Sequence, residues 1–187
     1  MNLLFDAARE FQLFFERENW PFCFIGGLAV LRWGEVRMTQ DIDASLFVGY
    51  GEEQKYIDIF LKAFSSRIPD AREFALTNRV LLLSATNRVS VDVVLSGLDY
   101  EWNVIERSSL FEFAPECLLR TCSAEDLIVL KAFANRSIDW LDIEGILARS
   151  GDCVDGKYIL KNITPLAEAK DEPQIAERVK RLMDEIK

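Results

Sequence analysis

The sequence predicts a mixed α/β fold of the α+β kind: a largely antiparallel sheet with helices packed on it, followed by a helical C-terminal part. Three observations predict it. Residues 22–48 read as strand, helix and strand. Two β-rich runs, 79–85 and 88–95, meet at Thr86-Asn87, a hairpin signal that disfavours a wholly parallel nucleotide-binding sheet. From Ser123 onward the apolar residues keep helical spacing. The expected division is a core over 1–122 and a helical part over 123–187 packed on it.

Taken in order, Leu3, Leu4, Ala7, Ala8, Phe11, Phe14 and Phe15 recur at helical spacing, so 2–18 is an amphipathic helix, broken by Asn19-Trp20-Pro21. The short apolar run Phe22 to Ile25 is a strand that ends in Gly26-Gly27. A helix over 27–33 follows and stops at Gly34, and 41–48 is a second strand. Glycines 49 and 51 turn the chain into a helix over about 52–65, whose Glu52 and Glu53 suit the positive end of the helix dipole. Ile68-Pro69-Asp70 marks a loop before the hairpin. Residues 99–107 read as a short helix, with short extended pieces at 110–113 and 117–120. Ser123 caps a helix over 124–134, with Asp126 as a variant of the capping box. Further helices are expected at 138–149, 157–168 and 174–186; in the last, Ile175, Val179, Leu182 and Ile186 keep the period.

Composition excludes several classes. Half of the 187 residues are hydrophobic, enough for a packed core and against disorder. No apolar run approaches the roughly 18 residues of a membrane span. The first residues carry an acid at position 6 and no basic start, unlike a signal peptide. The four cysteines show no Cys-x-x-Cys spacing and read as reduced thiols of a cytoplasmic protein. There is no histidine, which removes Ser-His-Asp and Cys-His chemistry, His-ligated zinc and a histidine base. Carboxylates with a divalent cation are what remains. The net charge of −9 argues against broad nucleic-acid binding, although Lys62, Arg67, Arg72, Arg79 and Arg88 could form a local basic face.

Asp41 and Asp43 flank Ile42, so in a strand both carboxylates share one face while Ile42 enters the core. They lie about 6 to 7 Å apart along the strand and suit a hard divalent cation. The Gly26-Gly27 turn opens a helix whose first N–H groups form a cradle for phosphate. Asp92 sits mid-strand in Ser90-Val91-Asp92-Val93-Val94, where aspartate is disfavoured without a role or water. Lys131 lies among apolar residues, where a lysine ordinarily snorkels to water. Asp139 and Asp142 share a helix face and are expected to form structural salt bridges with Lys131 or Arg136.

Gly26-Gly27-Leu28-Ala29 followed by Arg37-x-Thr39-x-Asp41-Ile42-Asp43 resembles the signature of the DNA polymerase beta-like nucleotidyltransferases, nearest to the toxin-type (AbiEii-like) and antibiotic-modifying branches. The resemblance covers 22–48 well, 88–95 adequately and 123–149 loosely. It implies the nucleotidyltransferase fold and transfer of an NMP from an NTP to an acceptor hydroxyl. It makes Asp41, Asp43 and Asp92 ligands of Mg²⁺ or Mn²⁺, with Asp92 also the base. Gly26, Gly27, Arg37 and Thr39 would shape the nucleotide site, and Lys131 would face the triphosphate. The family's usual serine after the first glycine is replaced by Gly27, so phosphate contacts fall to backbone N–H groups or another side chain. The acceptor implied is RNA or protein, with a cognate antitoxin as partner. A small hydroxylated molecule such as an antibiotic is the alternative, and a non-catalytic nucleotide-binding protein the third.

Overall fold

The computed structural model describes residues 2–185; the expectation for Ile186 lies outside them. The chain forms two compact units. The first holds the residues up to Leu28 together with Met38–Cys122, and the second holds Ala29–Arg37 and the chain from Ser123 onward.

The first unit is built on strands β1 (Phe22–Ile25), β2 (Asp41–Phe47), β3 (Ser65–Ser66), β4 (Val80–Ser84), β5 (Ser90–Ser96), β6 (Ser109–Ala114) and β7 (Cys117–Thr121). They form one seven-stranded sheet in the order β3-β4-β5-β2-β1-β7-β6. β1 with β2, β3 with β4, β4 with β5 and β6 with β7 pair antiparallel, whereas β2 with β5 and β1 with β7 run parallel. The mixed, largely antiparallel sheet is therefore as expected. The hairpin turns at Thr86-Asn87, closed by the Arg88 N–H donating to Ala85 C=O at 2.8 Å.

Strand alternation separates two faces of this sheet. Ile42, Ala44, Leu46, Leu81, Leu83, Val91, Val93 and Leu95 are buried on one. Phe22 and Phe24 join them from β1. Helices α1 (Leu3–Arg17) and α3 (Glu53–Ala63) bring Phe11, Phe14, Phe15 and Phe60 into the same core, with the Phe15 and Phe22 rings 4.7 Å apart. The other face carries Asp41, Asp43 and Ser45 beside Ser90, Asp92 and Val94, paired in register. Farther along, Ser45 and Ser96 share a buried hydrogen bond of 2.7 Å, and Phe47 meets Trp102 of α5 (Asp99–Glu106).

Two elements fall where sequence signals are weak. α4 (Ala71–Asn78) is an unexpected helix, and it ends on Arg79 at φ 55°, a left-handed position usually announced by Gly or Asn. β3 is two serines long, too short for an apolar alternation. Helix α2 (Gly26–Trp33) opens in the first unit and continues into the second.

The second unit otherwise consists of α6 (Ala124–Ala134), α7 (Ser137–Ser150), a 3₁₀ turn at Gly151–Cys153, α8 (Gly156–Ala169) and α9 (Gln174–Glu185). α6 packs on α7 and α8, and α8 on α9. Ser123 caps α6 by accepting from the Asp126 N–H at 3.1 Å. The Asp126 carboxylate accepts in turn from Ser123 Oγ and from the Tyr158 hydroxyl. No helix among the described residues is long and apolar enough to cross a membrane.

Candidate active site

The candidate site grows from one row across the sheet. Ile25 of β1 pairs with Asp43 of β2, Asp43 with Asp92 of β5, and Asp92 with Leu82 of β4. Paired residues on neighbouring strands point to the same face, so Asp43 and Asp92 stand side by side about 4.8 Å apart at the backbone. Asp41 lies two residues before Asp43 on that face, opposite Ser90. The structure thus puts all three aspartates on one face.

The double glycine is dictated by this row. The chain leaves β1 and turns at Gly26 with φ +58°, a left-handed conformation that disfavours any side chain. A Cβ at Gly26 would stand 1.9 Å from Asp43 Oδ2, and one at Gly27 would stand 2.3 Å from Thr39 Oγ1. Thr39 Oγ1 donates in turn to Asp41 Oδ1 at 3.1 Å. Gly26 therefore lets the Asp43 carboxylate lie against the start of α2, and Gly27 does the same for the hydroxyl that braces Asp41. The N–H groups of that first helical turn have no carbonyl of their own helix to reach.

Burial raises the pKa of Asp92 above the ordinary aspartate value; the Arg67 guanidinium opposes that shift and the Asp41 carboxylate adds to it. Arg67 Nη2 donates to Asp92 Oδ1. The donor set is carboxylate oxygen alone, the choice of a hard divalent cation rather than zinc or copper, so the residues fit Mg²⁺ or Mn²⁺ in kind. Among the described residues, however, no three acidic, cysteine or histidine side chains already converge as a metal cage.

Two expected site residues belong to the second unit. Arg37 donates from Nε and Nη2 to the two oxygens of Asp142 at 2.7 and 2.9 Å. Lys131 is buried rather than snorkelling: its ammonium lies 3.0 Å from Asp139 Oδ1 and 2.7 Å from Asp142 Oδ2. Arg136 clasps Asp139 through Nε at 2.7 Å and Nη2 at 3.1 Å. Burial pushes both carboxyls up, but the hydrogen bonds and charges of Arg136 and Lys131 on Asp139, and of Arg37 and Lys131 on Asp142, outweigh it and leave both below the usual range.

Three residues of the expected basic face are engaged in ion pairs. Arg67 is paired with Asp92, Arg72 with Asp58, and Arg79 with Glu53, while Arg79 also donates to the Gly49 and Leu95 carbonyls at 2.7 and 2.8 Å. Arg67 is the member of the site that sequence reasoning missed. Its only sequence signal is a positive charge in a loop.

The fold is that of nucleotidyltransferase-like proteins. A crystal structure of an antigenic nucleotidyltransferase-like protein from Paracoccidioides brasiliensis matches with a TM-score of 0.51 at 15% identity, over 95% of this chain and 90% of that one. Lincosamide antibiotic adenylyltransferase LnuA, solved with lincomycin, has a TM-score of 0.48 at 15% identity, over 78% of this chain and 98% of its own. The solution structure of the antibiotic-resistance factor ANT(2'')-Ia has a TM-score of 0.49 at 16% identity, over 97% and 91%. No protein-family model and no curated protein matches the chain.

Proposed function

We propose that the chain is a divalent-metal-dependent nucleotidyltransferase that moves an NMP from an NTP to an acceptor hydroxyl. The observation that carries this reading is the direct pairing of Asp43 with Asp92 on the face where Gly26 admits the Asp43 carboxylate. Asp41, Asp43 and Asp92 hold Mg²⁺ or Mn²⁺, which when bound stabilises the charge that develops on the phosphate oxygens. The N–H groups at Gly27 and Leu28 receive phosphate oxygens of the nucleotide, aided by the dipole of α2. Thr39 fixes the Asp41 carboxylate by its hydrogen bond. Asp92 accepts the proton of the acceptor hydroxyl as that oxygen bonds to the α-phosphorus. The bond between the α-phosphorus and the bridging oxygen breaks, and pyrophosphate leaves. Lys131 and Arg37 enter this reading as structural cations of the second unit, because both already serve buried carboxylates.

The toxin-type resemblance points to RNA or protein as acceptor. One observation favours a small hydroxylated acceptor instead: the chain has a net charge of −9, and Arg67, Arg72 and Arg79 of its local basic stretch are each ion-paired with a carboxylate. The test incubates the protein with each α-labelled NTP, Mg²⁺ or Mn²⁺, and in turn total RNA, total protein and a panel of hydroxylated small molecules. Label should move to one acceptor class, and only with the cation. Chelator-insensitive labelling, or equal labelling by Asp43→Asn, would reject the reading.

A further inference from the structure

We propose that Arg67 is a positioning residue that holds Asp92 apart from Asp41 and Asp43, and that a divalent cation must displace it before the three carboxylates act together. The inference rests on the nucleotidyltransferase reading above and concerns control of that same site.

The geometry comes from the edge of the sheet. The β3–β4 register places Ser66 opposite Leu83, and it continues one residue farther, with the Arg67 N–H donating to Leu82 C=O at 3.0 Å. Ser66 Oγ accepts from the Ile68 N–H at 3.0 Å and fixes the turn that follows. Arg67, Leu82, Asp92 and Asp43 therefore stand in one row across four strands, with Arg67 and Asp43 on opposite sides of Asp92. Arg67 begins two strand intervals from Asp92, about 10 Å at the backbone, and reaches over Leu82 to its carboxylate.

A comparison with the neighbouring arginine separates an architectural role from this one. Arg79 is held by a carboxylate and two backbone carbonyls, so its guanidinium is consumed in place. Among the described residues the Arg67 guanidinium serves Asp92, itself an expected metal ligand. The pair is partly exposed, so it is weak enough to exchange. The same structure shows three aspartates on one face that do not converge as a cage. An arginine pulling one of them toward the β4 side accounts for both facts.

The consequence is an exchange of partners. A divalent cation and a guanidinium compete for the same carboxylate oxygens. Once Asp92 turns to the cation, the released guanidinium is left beside the site with a planar pair of donors that matches phosphate oxygens. Arg67 then binds the triphosphate of the nucleotide, so that metal and nucleotide each favour arrival of the other.

Mn²⁺ titration by calorimetry, without nucleotide, tests this on wild type, Arg67→Ala, Arg67→Lys, Asp92→Asn and the Arg67→Ala/Asp92→Asn double variant, after circular dichroism shows each folded. Arg67→Ala should bind Mn²⁺ about two- to five-fold tighter, the worth of a partly exposed ion pair. Arg67→Lys should fall between, and the gain should vanish in the Asp92→Asn background. With a non-hydrolysable NTP analogue present, Arg67→Ala should lose nucleotide affinity. Equal Mn²⁺ affinity in wild type and Arg67→Ala overturns the inference while leaving the metal site standing. A gain that persists without the Asp92 carboxylate overturns it as well. If wild type and Arg67→Ala both fail to bind Mn²⁺, the nucleotidyltransferase reading falls and carries the inference with it.

Discussion

Gly27 shows how closely single atoms are specified at the start of α2. An added methyl there would stand 2.3 Å from Thr39 Oγ1 and 2.9 Å from Thr39 Cβ, so one of the two must move. Gly27→Ala should therefore destabilise the protein by about 1–3 kcal/mol, the usual cost of overpacking. Thr39→Ala in the same chain should recover part of that loss, because it removes the Oγ1 clash while the Cβ stays, and neighbours that share one space are not additive. Urea denaturation of the two single variants and the double variant measures the coupling. A serine at residue 27 would meet the same obstacle. The need for glycine and the presence of Thr39 were each legible in the sequence. Their contact was not, because it depends on how the link between α2 and β2 folds back.

The charged link between α6 and α7 is an element-scale device. Arg37, Asp142, Lys131, Asp139 and Arg136 form a continuous chain of ion pairs, with Asp139, Asp142 and Lys131 buried. Lys131→Ala should cost about 3–5 kcal/mol of stability, since it leaves buried carboxylates short of a partner. The folded pKa values of Asp139 and Asp142 are depressed, so their contribution is fully present above the unfolded value of about 3.9 and is lost as pH falls through the folded values. Helical signal followed by circular dichroism on acidification should thus collapse below about pH 4, and Asp139→Asn should make that acid limb shallower. The sequence showed the 3-residue spacing of the two aspartates, hence a shared helix face. It did not show that Lys131 is buried, since an apolar helix neighbourhood suits a snorkelling lysine equally well. The elements with long periodic patterns were legible: α1, α6, α7, α8 and the strands of the acidic row. β3 and α4 were not, and Arg67 reaches Asp92 only because β3 pairs with β4.

At the scale of the whole molecule, the sheet brings together acids that are far apart in sequence. Asp43 and Asp92 lie 49 positions apart in the sequence, yet the parallel pairing of β2 with β5 makes them neighbours. That pairing needs a crossover, which α3, β3, α4 and β4 supply. A hairpin signal alone does not reveal which strand lies beside β2, so the placement of Asp92 on the Asp41–Asp43 face was legible through family resemblance rather than through pattern. The most direct measurement is the release of pyrophosphate from each NTP by wild type, Asp43→Asn and Asp92→Asn, with Mg²⁺, in the presence of the acceptor class that takes label. The account predicts cation-dependent release by wild type and a fall of at least about 100-fold in both variants, with their melting temperatures near that of wild type. Release by Asp43→Asn and Asp92→Asn at the wild-type rate would contradict it.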